Sequence, residues 1–347
     1  MRIKIIFISV LVLVGAYSFF WFYLADQAKE TTLSWIENSE ERLNGIKLFV
    51  GDVTVSGFPY KIAIEATTFN ASVPAGLYGK NPILISFPNI AAVYQPWKPN
   101  HAIIVSDYMD AVIGELDNPE VSISLETIMS SIIFDLETNE LNNLSVTSDI
   151  ASWQHGLAGE GLAVSVMENP EFHLRRTTGN PTEQVGYDLP VNRAVYFKAE
   201  NALINEFKDT VLGESADLIK IESLLHANKQ PDYTVVGLSQ WRDDGGTLSI
   251  RRFDYGTEDQ NISVTGDVTL DRNLKPLGAF DASVTGIGAL FGRLSENKNL
   301  SSIARSLLKS QASNNQLPDA VPLAISMQNG QMYVGPIMIM ELPAVID

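Results

Sequence analysis

Four histidines, at positions His101, His155, His173 and His226, are the first residues to test for chemistry, and their spacing offers nothing to a metal ion. A protein zinc site draws on ligands a few residues apart, such as His-x-x-x-His or a Cys pair. Here the histidines are scattered and the chain has no cysteine, so thiol chemistry and disulfides are excluded too. Solvated or singly hydrogen-bonded imidazoles are the expectation. Gly237-Leu238-Ser239-Gln240-Trp241 starts like a nucleophile elbow but lacks the second glycine that lets backbone pass tightly behind the serine. Gly286-x-Gly288-x-x-x-Gly292 imitates a dinucleotide loop. The strand before it alternates, however, where a Rossmann strand is uniformly apolar, and too little chain follows for further βαβ units. A tight strand-to-helix turn is expected instead. Asp107 with Asp110, or Asp243 with Asp244, could act as acid–base or cation pairs. The same residues suit a solvated face, and Asp243-Asp244-Gly245-Gly246 is turn chemistry first. No catalytic residue, metal ligand or cofactor is assigned.

The element that places everything else is the apolar run Ile5 to Ala25, free of charge until Asp26. About twenty residues at 1.5 Å each give roughly 30 Å, the thickness of a bilayer's hydrocarbon core. Ile5, Leu11, Val14, Phe20, Trp21 and Leu24 mark this anchor. Arg2 and Lys4 precede it, so the positive-inside rule keeps the N-terminus in the cytoplasm and exports residues 26–347. A cleaved signal peptide has a shorter core ending in small residues. This run ends in Phe19-Phe20-Trp21-Phe22-Tyr23-Leu24, so an uncleaved anchor is expected. The net charge of −17 argues against nucleic acid, which needs a basic surface, and against a domain lying flat on anionic lipid.

Beyond the anchor, Leu33, Ile36 and Leu43 recur at helical spacing, predicting a stalk over 26–45 with Gly45 as its C-cap. The period then changes to two. Lys61 and Glu65 alternate with Tyr60, Ile62, Ile64 and Ala66, and Ser122 and Ser124 with Val121, Ile123 and Leu125. This is the pattern of antiparallel strands with one dry face. Pro82, Pro88, Pro96 and Pro99 predict short or edge strands over Ile83–Val105. Gly161–Met167, Arg193–Ala199 and Ala216–His226 read as strands, Gly179–Glu183 as a loop, and Leu203, Phe207 and Val211 as a short helix. Arg251-Arg252 breaks the phase and predicts a bulge. Ile262, Val264, Val268 and Leu270 share one face, as do Phe280, Ala282 and Val284. Leu300, Ile303, Ala304, Leu307 and Leu308 form a stripe within one helix over Ile287–Gln311. Asn329-Gly330 predicts a hairpin with Met332–Met340 as its return strand. The class is mostly β, an antiparallel curved sheet of hairpins and meanders with a few helices. Residues 46–347 form one β-rich periplasmic domain, or two sub-domains divided within 170–215.

Three stretches carry a resemblance: Val55-Ser56-Gly57-Phe58-Pro59-Tyr60 after a helix containing Trp35, Trp241-Arg242-Asp243-Asp244-Gly245-Gly246-Thr247-Leu248 leading to Gly266-Asp267-Val268-Thr269-Leu270-Asp271, and the terminal Pro322-Leu323, Asn329-Gly330 and Gly335-Pro336. Their order and spacing resemble the bacterial family catalogued as domain of unknown function 2125. The resemblance implies a Gram-negative envelope protein with an N-terminal inner-membrane segment and brings no established activity. The meander Gly246–Thr285 more loosely resembles the hairpins of AsmA-like envelope proteins, in which a curved sheet carries an apolar groove and lipid handling is the proposed role.

A wide sheet with one apolar face needs a second layer or a ligand to cover it. The expectation is therefore a non-catalytic, membrane-anchored protein binding a lipid, an acyl chain or an envelope partner. Its candidate apolar groove is Ile262, Val264, Val268, Leu270, Phe280 and Val284. A scaffold with a filled core is the alternative, and an envelope hydrolase the third class. Phe58, exposed at the Gly57-Phe58-Pro59 corner, is a candidate for touching the membrane surface.

Overall fold

A single helix sets the frame. In the computed structural model, α1 (Arg2–Glu37) runs unbroken from the apolar segment into the stalk, and it is long and apolar enough to cross a membrane. A short turn, α2 (Ser39–Arg42), ends it. Gly45 follows in the left-handed region at φ +98°, its N–H donating to the Glu40 carbonyl at 2.7 Å, the closure expected of a C-cap. The structure describes residues 2–77, 79–138, 140–156, 163–177, 187, 189–208, 212–229, 231–232, 234–257, 260–296, 302–312 and 320–346.

Among these residues nineteen strands form one antiparallel sheet. It begins with β1 (Lys47–Val50), β2 (Val53–Ser56), β3 (Ile62–Ala66), β4 (Phe69–Val73), β5 (Ile83–Phe87) and β6 (Ile90–Gln95). Two long strands follow, β7 (Lys98–Glu115) and β8 (Asn118–Phe134). Along β7, β6 pairs with the first half and β5 with the second; along β8, β10 (Ile150–His155) pairs with the first half and β9 (Leu141–Thr147) with the second. From β11 (Ser165–Arg176) the order is sequential: β12 (Val191–Leu203), β13 (Ser215–His226), β14 (Thr247–Gly256), β15 (Asn261–Leu270), β16 (Pro276–Thr285), β17 (Ala320–Gln328), β18 (Gln331–Val334) and β19 (Ile337–Glu341). β11, β12 and β13 pair in sequence, with register shifts between Val166 and Glu171 and between Val191 and Arg193.

Helix and sheet start side by side. The Leu48 N–H donates to Ser39 Oγ at one end of α1, while Trp21 Nε1 donates to the Lys61 carbonyl at 3.1 Å toward the other. Trp21 and Ala25 are buried against Ile62, with Leu24, Ala28, Val55, Ile64 and Tyr94 around them. From Trp21 to Ser39 the helix rises about 27 Å, close to the roughly 26 Å that eight strand residues cover from Leu48 to Ser56. The first strands therefore run alongside α1.

Residues directly opposite in an antiparallel ladder share a face, and one row can be followed strand by strand. Ile64 faces Ala92, then Ile104, Ser130, Val146, Phe172, Phe197, Ile221, Phe253, Val264, Ala282 and Leu323. Twelve strands contribute, and Ser130 alone is polar. At about 4.8 Å per strand the row is roughly 50 Å long. On the reverse face Glu171, Lys198, Lys220, Asp254, Ser263 and Ser283 stand opposite one another in the same way. The apolar side of this row is thus continuous over twelve strands, and its reverse is polar from β11 to β16.

Several expectations are corrected. β7 is neither short nor an edge strand; Pro99 sits at its second residue, where a missing N–H interrupts little of the ladder. Tyr60 is an exposed corner residue, and both Ile62 and Ala63 are buried. The helix over Ile287–Gln311 is two, α4 (Ile287–Glu296) and α5 (Ser302–Ala312), counted after α3 (Val235–Asp243). Leu300 lies outside the described residues; of the stripe, Leu308 is buried while Ile303 and Leu307 are exposed. The return strand after Asn329-Gly330 splits into β18 and β19 at Gly335-Pro336. Phe207 belongs to a 3-10 turn, Asn205–Phe207, with Leu203 still in β12; Val211, Gly161 and the Gly179–Glu183 loop lie outside the described residues. The Arg251-Arg252 bulge is present, as register shifts on both sides of β14. α3 was not expected. Thr234 caps it, accepting from the Gly237 N–H at 3.1 Å, and a Cβ at Gly237 would lie 2.1 Å from the Asp232 carbonyl oxygen.

Candidate apolar binding cavity

Between β14–β17, the β18–β19 hairpin and α4 lies a cavity of about 710 Å³, and none of the residues lining it carries a polar side chain. Local chemistry accounts for its shape. Gly286, at φ +65°, turns β16 directly into α4, as expected of a strand-to-helix turn. That turn swings Ile287 and Leu290 over the sheet, where they pack with Ile262, Val284 and Leu308. Arg293, a turn further along α4, donates from Nη1 to the Leu212 carbonyl at 2.8 Å and ties the helix to the neighbouring loop. In the middle of β15, Gly266 faces Phe280, whose ring occupies the space a side chain would need. The far wall is supplied by Leu323 and Ile325 of β17 with Ile337 and Ile339 beyond. No side chain lining it offers water a hydrogen-bond partner.

Of the six groove candidates, Ile262, Val264, Val268, Phe280 and Val284 line this cavity. Leu270 does not. It is buried with Leu225, Ala227, Leu238, Trp241 and Leu274, a packed core closed by α3, whose Trp241 Nε1 donates to the His226 carbonyl at 3.0 Å. Of the anchor residues, Ile5, Leu11, Val14 and Phe20 are exposed along α1, whereas Trp21 is buried against the sheet and Leu24 packs beside it.

Other depressions are of a different kind. One of about 560 Å³ near β2 and β3 is bordered by Asp52, Glu65, Asp107 and Asp149. One of about 870 Å³ on the reverse face mixes Glu171, His173, Arg175, Glu222 and Arg251. Volume alone would favour the last; the uniform lining distinguishes the first.

The remaining candidates fall into ordinary partnerships. His101 and His173 each hydrogen-bond a serine at 2.9 Å, Ser131 and Ser145. His226 is buried, stacked on Tyr187 at 3.8 Å, with Nδ1 on the Leu189 carbonyl. Asn89 donates to Asp107, Ser124 to Asp110, and Arg242 to Asp243. Among the described residues no group of three His, Cys, Asp or Glu side chains could hold a metal. Ser145, His173 and Glu171 form one Ser-His-acid set, on the polar reverse face, with His173 Nδ1 2.9 Å from Ser145 Oγ and Nε2 3.5 Å from the Glu171 carboxylate; Ser165, His155 and Glu206 form a second. In the second the carboxylate sits in the middle, taking 2.7 Å from Ser165 Oγ and 3.3 Å from His155 Nε2, so the imidazole cannot receive the serine proton. Burial pushes the Glu206 carboxyl up, but Ser165, its own backbone N–H, Trp153 and His155 outweigh this and hold it below its ordinary range. Tyr255, the largest fully buried side chain, donates to the Gly213 carbonyl at 2.6 Å, and burial pushes its hydroxyl up to about 12.

No curated protein matches the chain. A family model does, that of an uncharacterized protein conserved in bacteria, across residues 21–343. With all nineteen strands inside that match, the chain belongs to the DUF2125 family.

Proposed function

We propose that the protein is held in a bacterial inner membrane by α1, with its N-terminus in the cytoplasm and its sheet in the periplasm, and that it binds an acyl chain of a lipid without catalysis. The apolar cavity carries this reading. Arg2 and Lys4 before the span, and no basic residue between Lys4 and Lys29, support the orientation. The in-register apolar row supports a groove like that of AsmA-like proteins, since it connects the strands beside α1 with the cavity strands. Each methylene moved from water into such a cavity contributes about 0.8 kcal/mol, so partial insertion of one chain gives useful affinity.

The test uses the full chain in lipid nanodiscs with a photoactivatable diazirine fatty acid, followed by peptide mapping. Label on 260–291 and 320–340, in addition to α1, is expected. Label confined to α1 would sink the binding reading and favour a scaffold, for which the exposed Ile303 and Leu307 of α5 would be the contact.

A further inference from the structure

We infer that the end of the sheet beside α1 is immersed in the lipid bilayer: the β2–β3 corner and the β6–β7 turn enter the leaflet from which α1 emerges. This rests on the reading of α1 as a membrane span and adds a second, non-helical contact with lipid.

Depth along α1 is the first reason. The corner meets the helix well inside its apolar run. Tyr17 Oη donates to the Pro59 carbonyl at 2.5 Å, and Phe58 stacks on Phe22 at 5.6 Å and meets Trp21 edge-on at 5.4 Å. Tyr17 precedes Asp26, the first charge after the apolar run, by nine residues, or about 13 Å of helix. The headgroup layer is only about 6 Å thick on each side. With Asp26 as far out as that layer's outer edge, Pro59 still lies beneath the headgroups. The opposite placement, with Tyr17 in water, leaves Ile5 to Ala16 to cross the membrane. Those twelve residues cover about 18 Å of a core of roughly 30 Å. If α1 spans, the corner is immersed.

Composition is the second reason, and it is independent of the helix. Pro59-Tyr60-Lys61 at the corner is matched by Pro96-Trp97-Lys98 at the β6–β7 turn. The two tips sit on the same end of the sheet at the same level. Ile62 pairs with Tyr94, the corner's Pro59 lies three residues before Ile62, and Trp97 lies three residues after Tyr94. Phe58, Tyr60 and Trp97 are 48%, 74% and 56% exposed, although large aromatics ordinarily find cover. Aromatic residues with a lysine beside them suit the interface, where rings sit at headgroup level and the ammonium reaches phosphate. The next tip on that end, between β8 and β9, carries Asp135 and Glu137 around Leu136, and these carboxylates mark where immersion stops.

The absence of native cysteine makes the test direct. Single variants Tyr60→Cys, Trp97→Cys, Leu11→Cys and Asp117→Cys of the full chain are nitroxide-labelled and reconstituted in palmitoyl-oleoyl phosphatidylcholine vesicles. Asp117 lies in the β7–β8 turn at the opposite end of the sheet. Collision rates with oxygen, which partitions into lipid, are compared with those of a water-soluble nickel chelate. Oxygen should dominate at positions 11, 60 and 97, with the ratio reversed at 117. Nickel dominating at 60 or 97 while 11 remains in lipid would overturn the inference and leave the anchor intact. Nickel dominating at 11 as well would overturn both. The two loop positions are exposed in the protein, so labelling them removes no core packing.

Discussion

Ala282→Phe is the substitution that best separates an open cavity from a packed core. Ala282 is buried, stands between Val264 and Leu323 in the apolar row, and lines the cavity. A phenyl ring there adds roughly 100 Å² of apolar surface. If the cavity receives the ring, its burial contributes up to about 2.5 kcal/mol at 25 cal/mol per Å². In a filled core the same ring would cost about 1–3 kcal/mol through overpacking. The sign of the stability change therefore reports on the space. For the ligand the consequence is opposite. A ring displacing about four methylenes removes roughly 3 kcal/mol of acyl burial, more than a hundredfold in affinity. The assay is diazirine fatty acid labelling in nanodiscs, with urea unfolding of the same sample. The expected result is unchanged or increased stability, loss of label from 260–291 and 320–340, and unaltered label on α1. Destabilisation by more than about 1 kcal/mol with label retained would refute the reasoning.

Three further outcomes follow from the packing. Gly266→Ala should destabilise by at least about 2 kcal/mol, because its Cβ would sit 2.3 Å from the Ala279 carbonyl oxygen and 2.8 Å from the Phe280 ring; a neutral change in urea unfolding would show that β16 moves freely. Trp21→Ala should cost about 3–5 kcal/mol locally, raising hydrogen exchange at β2 and β3 while β14–β17 stay protected; unchanged exchange in β2 and β3 would mean that α1 does not brace them. Glu206 has a folded pKa held below its ordinary 4.5, so the stability it contributes is present above that value and lost as pH falls through the folded value. The stability difference between wild type and Glu206→Gln should shrink over that acidic window, and a difference independent of pH would remove the Ser165–Trp153–His155 cluster from the account.

Legibility in the sequence depended on how local each signal was. Alternation at 262–270 and 280–284 needs only neighbours two residues apart, and Ile262, Val264, Val268, Phe280 and Val284, read as sharing one face, all line the cavity. Leu270 went astray because a period of two says which face a residue occupies and nothing about what covers that face; α3 covers one end and α4 the other. α3 itself was obscured by Gly237 and by Val235 and Val236, poor helix formers, and it exists because Trp241 and Leu238 close a core. Trp21 looked like an interfacial anchor because nothing near it in sequence announces Ile62 as its neighbour. The apolar row is the extreme case, since each of its contacts joins different strands and no window of sequence contains it.

A protein tethered by a flexible linker lets its working end wander; a brace removes that freedom. Here the apolar segment continues as helix to Glu37, and Trp21, Ala25 and Ile62 pack together where it meets the sheet. With α1 in the membrane as proposed above, the chain acts as a cantilever, with α1 as its post and the sheet as its arm. Over an arm of roughly 50 Å, a ten-degree change in the tilt of α1 displaces the far end by roughly 9 Å. Bilayer thickness, which sets that tilt, would act as a mechanical input to the height of the cavity.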